Sequence, residues 1–405
     1  FLLFKNIVRK ESLMAVGLYI TERCLQNCRF CFNWKVDGKQ EAVDMEYTDI
    51  RYILEESRLK GHRYLTITGG EPFLHPHIID VIDYAHDLGF MINILTNGLL
   101  IDENLVAEMR GKFRLRIRVS LDGASKEVHE YARGNNTFDR VLTAIRLLIK
   151  NRFHVGIGFT VYEENIAEIE AAVRLCIDYG CAYIRFSPVV RIQKGKQAAV
   201  NMELHEMALT QIIETQLKYS QYIDLQGPSA DNFSLPVESL TTKRCEAGVN
   251  FFAINPDKVI LPCPLIRPNP TICRKTFTGK DDFYWIRTHM DELFSDIRTN
   301  LQGLCASCQF KDSCCGGCPA EKISFDLDLS DEQPVCMNRI LKTAEKKFKP
   351  ADFRLLVNNW FHRLSHSFES ERDGSAFCFR QAPFWTIMFK PAPGARREED
   401  VRERR

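Results

Sequence analysis

From Ala15 to Ser187 the chain alternates short apolar runs with longer stretches whose apolar residues recur every three or four positions. The runs Ala15–Thr21, Tyr64–Thr68, Met91–Thr96, Leu115–Leu121, Val155–Val161 and Tyr183–Ser187 are expected strands. Phe138, Val141, Leu142, Ile145, Leu148 and Ile149 share one helical face, and Ile166, Ile169, Val173, Cys176 and Ile177 share another. Strands followed by helices, six times over, predict a parallel α/β fold. Periodicity does not separate a barrel from an open doubly wound sheet. In the fourth run, Arg116, Arg118 and Ser120 fall on one face and Leu115, Ile117, Val119 and Leu121 on the other. The apolar face is expected to meet the helices, which turns Ser120 inward. Arg116 and Arg118 then point inward too, where internal ion pairs are favoured over a role in binding acidic groups.

Residues 191–244 carry no strand signal. Met202 to Leu217 reads as a helix and Gly227 to Pro236 as loop, so this segment is expected to bridge two domains. After Lys349 the pattern weakens: Ala351 to Phe368 reads as one more helix, and residues 370–405 as a disordered tail. Met14 is the expected start of the folded chain. The expected divisions are 1–13, 14–190, 191–244, 245–347 and 348–405.

A length of 405 residues suggests two or three domains, and 45% hydrophobic with 26% charged residues is ordinary for a globular protein. A net charge of +1 gives no reason to expect nucleic acid or another polyanion. No apolar run reaches membrane-spanning length, and Lys5 cuts off the opening Phe-Leu-Leu-Phe. The expected location is the cytoplasm, away from membranes.

The 15 cysteines change this picture. They fall in short-spaced groups within a chain rich enough in apolar residues to build a core, which favours metal binding over a secreted disulfide framework. The first group is Cys24-Leu-Gln-Asn-Cys28-Arg-Phe-Cys31, directly after the first expected strand. Three thiolates can hold three corners of a cubane iron–sulfur cluster and leave the fourth iron to a small molecule. A structural zinc site takes four ligands, and an ordinary electron-transfer cluster takes four cysteines. The bland alternative is an incidental group of cysteines or half a zinc site. The second group is Cys245, Cys263, Cys305-Ala-Ser-Cys308, Cys314, Cys318 and Cys336, which structural zinc would also suit.

The first motif resembles that of the radical S-adenosylmethionine (SAM) superfamily. The resemblance implies a partial, six-unit TIM-like (β/α)6 barrel, with a [4Fe-4S] cluster on Cys24, Cys28 and Cys31 whose open iron chelates SAM. It also implies one-electron reduction by a ferredoxin or flavodoxin and release of a 5′-deoxyadenosyl radical. Thr68-Gly69-Gly70-Glu71-Pro72 then matches the family's motif for the SAM amino group. Ser120 and Arg133 take the places of further SAM contacts, Phe30 shields the cluster, and the strand around Phe186 flanks the adenine. Gly156 and Gly158 would admit a flat ring. His75 and His77 are expected to be polar loop residues.

The second group resembles the SPASM domain, a small cysteine-rich module that holds two auxiliary clusters, expected to be [4Fe-4S]. By that resemblance Cys305, Cys308, Cys314 and Cys336 ligate one cluster, and Cys245, Cys263 and Cys318 the other. The latter lacks the fourth cysteine that some relatives place where this chain has Phe251. Cys273 or Cys315 could replace it, or the iron could stay open for substrate. Lys258 stands where the family usually has glycine. Pro264 replaces the catalytic aspartate of sulfatase-maturing relatives.

The implied activity is hydrogen abstraction from a peptide or small protein, leading to a crosslink, an epimer or an oxidised side chain. A separate peptide-recognition protein is an expected partner. The alternatives are radical modification of a small molecule or cofactor precursor, such as a tetrapyrrole side chain, and a non-catalytic metal-binding scaffold.

Overall fold

The computed structural model describes residues 15–32, 42–189, 194–195, 202–226, 247–249, 251–266, 272, 275–308, 311–314, 316–332 and 336. Cys245, Cys273, Cys315, Cys378, the expected helix at 351–368 and both chain ends lie outside them.

Ten strands form one sheet in the order β10-β9-β8-β1-β2-β3-β4-β5-β6-β7. They are β1 (Ala15–Thr21), β2 (Tyr64–Gly69), β3 (Met91–Thr96), β4 (Leu115–Ser120), β5 (His154–Val161), β6 (Tyr183–Pro188), β7 (Asp224–Gln226), β8 (Phe251–Ile254), β9 (Val259–Leu261) and β10 (Lys275–Thr276). Strands β8 and β1 to β7 run parallel, and β9 and β10 are antiparallel additions at one edge. The ends of the order do not pair, so the fold is an unclosed partial barrel. The helices are α1 (Tyr47–Leu59), α2 (Ile78–Asp87), α3 (Glu103–Glu108), α4 (Lys126–Arg133), α5 (Phe138–Lys150), α6 (Ile169–Tyr179), α7 (Met202–Tyr219), α8 (Asp281–Asn300), α9 (Gly303–Ala306), α10 (Lys311–Cys314) and α11 (Pro319–Ser324). Among the described residues no helix is long and apolar enough to cross a membrane.

The six expected strands all form. On α5 the buried residues are Phe138, Val141, Leu142, Ala144, Ile145 and Leu148, the apolar stripe expected of that segment. Local caps set the helix starts: Asp102 accepts from Leu105 N–H at 2.8 Å before α3, and Ser125 from Val128 N–H at 3.4 Å before α4. One expectation fails between 191 and 244, where β7 adds a strand beside β6. Asp-Leu-Gln is too short to show an alternation; pairing to an existing edge makes it a strand.

Strand β4 alternates as expected: Leu115, Ile117 and Val119 are buried against the helices and Arg116, Arg118 and Ser120 turn to the inner face. The register extends that inner face, pairing Arg118 with Gly156 and then Tyr183, and Ser120 with Gly158 and then Arg185. Phe186 is one residue out of step with these. It is fully buried and packs edge-to-face on Phe159 at 5.5 Å, on the helix side of the sheet. The Phe186 ring therefore turns away from the inner face of the strand expected to flank the adenine, and its neighbours Arg185 and Ser187 share that inner face. Gly156 does admit a flat ring, but the ring is Tyr183, whose Cζ stands 2.0 Å from where a Cβ would be.

The hairpin β8–β9 joins the sheet through β1, with Ala15 to Leu18 beside Phe251 to Ile254. Phe251, the position lacking a cysteine, thus opens β8, and its ring lies against Gly17. Lys258 adopts a left-handed φ of 64° in the turn before β9, the conformation glycine supplies elsewhere. The hairpin keeps its geometry without glycine, and Lys258 Nζ bonds Asp49 on α1 at 3.1 Å.

Replacing Gly156 by alanine should displace the Tyr183 ring and cost about 1–3 kcal/mol, as overpacking does. Urea unfolding of the variant checks this, and Gly158→Ala, whose Cβ would meet Arg118 only at an ordinary 3.6 Å, should cost less.

Candidate functional site

The loop carrying Cys24, Cys28 and Cys31 leaves the carboxyl end of β1, where parallel α/β barrels place their chemistry. The turn after β2 grips it. Gly70 N–H donates to Thr21 O at 2.8 Å and Glu71 N–H to Arg23 O at 2.7 Å. A Cβ on Gly70 would stand 2.1 Å from Arg23 O, and one on Gly69, whose φ is +144°, would stand 2.3 Å from Thr21 O. The close approach these glycines permit is therefore to the backbone that feeds the cysteine loop. Arg23 ties the same loop to Asp44 at 2.6 Å.

The Glu71 carboxylate is fully buried. It accepts from Thr96 Oγ1 at 2.8 Å, Asn97 N–H at 2.8 Å and Phe73 N–H at 3.2 Å. Burial raises its pKa to about 7 against the opposing effect of these donors. Asn97 also reaches Cys24, with Nδ2 at 3.9 Å from Sγ. Burial pushes the Cys28 thiol up to about 11, and Arg133 works against that rise.

Arg133 ends α4 and is largely buried rather than a surface charge. Its guanidinium pairs with the fully buried Asp122, lies 5.6 Å from the centre of the Phe30 ring, and places Nη1 at 3.9 Å from Cys28 Sγ. Burial works against its charge, and Asp122 together with Cys28 and Cys31 holds the guanidinium above its ordinary pKa. Asp122 also accepts from Thr160 N–H at 2.6 Å, and its own N–H donates to His129 Nδ1 at 3.2 Å. Phe30 packs with Ala132, Tyr162 and Val189. Cys28, Phe30 and Arg133 are thus brought together, with Cys24, Glu71 and Asn97 alongside. His75 bonds Met45 O at 2.9 Å, as a loop residue would. Asp122 and Asn97 were missed by the motif reading. Their signal was positional: each follows the carboxyl end of a strand.

In the second group, burial pushes the Cys318 thiol up to about 12, with Cys263 the next contributor. Cys305 and Cys314 instead share the neighbourhood of Lys322, on α11. Between the two groups stands Tyr19, buried with Ala253, Val259 and Leu261 and within electrostatic reach of Cys263, Cys31 and Arg118. All the cysteines in the described residues are free thiols. Among the described residues no three His, Cys, Asp or Glu side chains converge as a single metal ion requires. A cubane takes each thiolate at a different iron and does not ask for that convergence, so this all-thiolate donor set fits it.

Residues 18–176 match the family model of the Radical SAM superfamily. The chain is 25% identical to the AdoMet-dependent heme synthase of Methanosarcina barkeri over 82% of its own length and 99% of that protein's. It is 26% identical to mycofactocin maturase MftC of Mycolicibacterium smegmatis, covering 78% of this chain and 81% of the maturase. Its fold is similar to that of Streptococcus suis SuiB bound to S-adenosylmethionine, with a TM-score of 0.64 at 17% identity over 80% of this chain and 77% of SuiB.

Two predictions follow from the buried charges. Asp122→Asn leaves the buried Arg133 guanidinium without its counter-charge and should destabilise the protein by about 3–5 kcal/mol in chemical unfolding. Glu71 has a folded pKa of about 7 against an ordinary 4.5, so its contribution to stability is full below about 4.5 and is lost as pH rises through about 7. Glu71→Gln should flatten that part of the pH–stability profile measured by urea unfolding.

Proposed function

Taking residues 18–176 as a radical SAM domain, we propose that this chain is a radical SAM enzyme with auxiliary iron–sulfur clusters that modifies a peptide or small protein. The observation that carries this reading is the Cys24–Cys31 loop at the end of β1, gripped by Gly70 and Glu71 and faced by Arg133. When bound, the cluster and SAM supply one-electron chemistry that cleaves a carbon–sulfur bond and yields a radical able to take hydrogen from substrate.

The chain's own residues have distinct tasks. Cys24, Cys28 and Cys31 ligate the cluster. The amide N–H groups of Gly70 and Glu71 are used on the cysteine loop, so the acceptors this turn offers to an ammonium are its carbonyls. Arg133, fixed by Asp122, offers a guanidinium to a carboxylate. Phe30 and Tyr162 exclude water, and Ser120 with its inner-face neighbours borders the rest of the ligand. Cys305, Cys308, Cys314 and Cys336 hold one auxiliary cluster and Cys245, Cys263 and Cys318 the other. A ferredoxin or flavodoxin delivers the electron, and a separate protein presents the peptide.

Similarity to a peptide maturase supports a peptide substrate. A second reading is radical modification of an anionic cofactor precursor. The heme synthase similarity over 99% of that protein favours it.

The test is metal analysis of oxygen-free, reconstituted protein followed by SAM cleavage with dithionite. The expected result is about twelve irons with matching sulfide and formation of 5′-deoxyadenosine. The variant with Cys24, Cys28 and Cys31 all replaced by alanine should lose about four irons and all cleavage. Zinc in place of iron overturns the reading, and iron without SAM cleavage leaves a metal-binding scaffold.

A further inference from the structure

Lys322 is 1% exposed, an unusual place for an ammonium. It lies on α11, one turn beyond Cys318, and its N–H closes that turn on Cys318 O at 3.2 Å. Its Nζ donates to Leu329 O at 2.7 Å. The loop between Cys314 and Cys318 is shaped around it. Gly316 has a φ of +75°, and a Cβ there would stand 2.8 Å from Lys322 Nζ and 2.4 Å from Leu301 Cδ2. Glycine thus leaves the room in which the ammonium sits.

The groups that act on this charge are mostly thiols. Burial, the largest effect, lowers its pKa, and Cys305, Cys314, Asp331 and Cys318 act in the opposite direction and favour the charge. Cys305 and Cys314 belong to one proposed ligand set. Cys318, whose own electrostatic neighbour is Cys263, belongs to the other. Gly316, whose Cβ position is 2.8 Å from Lys322 Nζ, lies in the chain between Cys314 of one set and Cys318 of the other, so the ammonium sits beside the segment that joins the two sets.

We infer that Lys322 is a positioning charge shared by the two auxiliary clusters, which favours their reduced forms. The inference rests on the auxiliary-cluster reading above. Its physics is direct. Thiolate ligation makes each cluster anionic, and one-electron reduction adds a further negative charge to it. A fixed ammonium nearby stabilises the reduced form more than the oxidised one, and net charge near a cluster is one of the quantities that sets its potential. Lys322 exchanges no proton or electron in this role. The reductant supplies the electron, and the cluster keeps it.

The test is an EPR-monitored potentiometric titration of the full chain, reconstituted without oxygen. It is run on the parent protein and on the form with Cys24, Cys28 and Cys31 replaced by alanine, in which only auxiliary clusters remain. Lys322→Met keeps the length and removes the charge; Lys322→Arg keeps the charge. In Lys322→Met the ratio of reduced to oxidised auxiliary cluster at a fixed potential should fall about tenfold, or about 59 mV for one electron. The SAM-binding cluster should not move, and Lys322→Arg should titrate as the parent does. Loss of auxiliary iron in Lys322→Met alone, with Lys322→Arg intact, marks a role in cluster assembly rather than in potential and overturns the inference. An unmoved midpoint in Lys322→Met overturns the inference, as does an equal shift or equal loss of iron in both variants, which marks packing rather than charge. A parent chain holding only about four irons overturns the auxiliary-cluster reading itself, and the inference with it.

Discussion

The contact between the Gly69–Glu71 turn and the backbone of Thr21 to Arg23 is the constraint on which the site depends. Two amide N–H groups close on two carbonyls across it, at 2.8 and 2.7 Å. That spacing leaves no volume for a side chain at either glycine. The loop carrying Cys24, Cys28 and Cys31 is therefore held at both its base and its flank, by β2 below and by Asn97 and Arg133 beside it. A loop held this way presents its thiols without relying on the loop's own stiffness, which matters because loops are ordinarily the mobile part of a fold.

Around that contact the protein keeps several charges out of water, and each has a distinct counterweight. Arg133 has Asp122, which is itself held by the Thr160 N–H. Glu71 has three hydrogen-bond donors and the weaker pull of Arg133, over which burial prevails, and its pKa rises. Lys322 Nζ has the Leu329 carbonyl, with Asp331 and the thiols of Cys305, Cys314 and Cys318 within electrostatic reach. Arg133 and Glu71 are oriented elements of the first cysteine loop's surroundings, and Lys322 is the buried charge beside the second group. Unpaired burial of such groups is costly, so their presence ties the fold's stability to the same places that carry its chemistry.

Much of this was legible in the sequence. Six strands could be placed because apolar runs bounded by turn residues are a strong signal, and the inward face of β4 followed from its alternation. What was not legible lay in pairing and in side-chain direction. Asp224 to Gln226 has no strand pattern of its own and becomes β7 only because β6 offers an edge. The direction of the Phe186 ring, toward Phe159, is set by the alternation of β6, a one-residue difference that resemblance does not resolve. Gly156 was read as room for a ligand and makes room for Tyr183. Lys258 stands where the resemblance leads one to expect glycine, yet the left-handed turn forms with lysine and gains an ion pair to α1. Asp122 and Asn97 carry no motif; only the folded chain shows that they orient Arg133 and Cys24.

The pairing of β8 with β1 has a consequence for how the molecule is made. β1 is bordered on one side by β2, a near neighbour in sequence, and on the other by a strand that begins only at Phe251. During synthesis the first strand and its cysteine loop can be gripped by β2 long before their other border exists. Until then β1 offers an open, apolar edge, the kind of surface on which nascent chains misassociate. The second cysteine-rich segment therefore closes the oldest part of the sheet when it arrives, and a chain truncated before Phe251 would leave the ribosome with its first strand still uncovered.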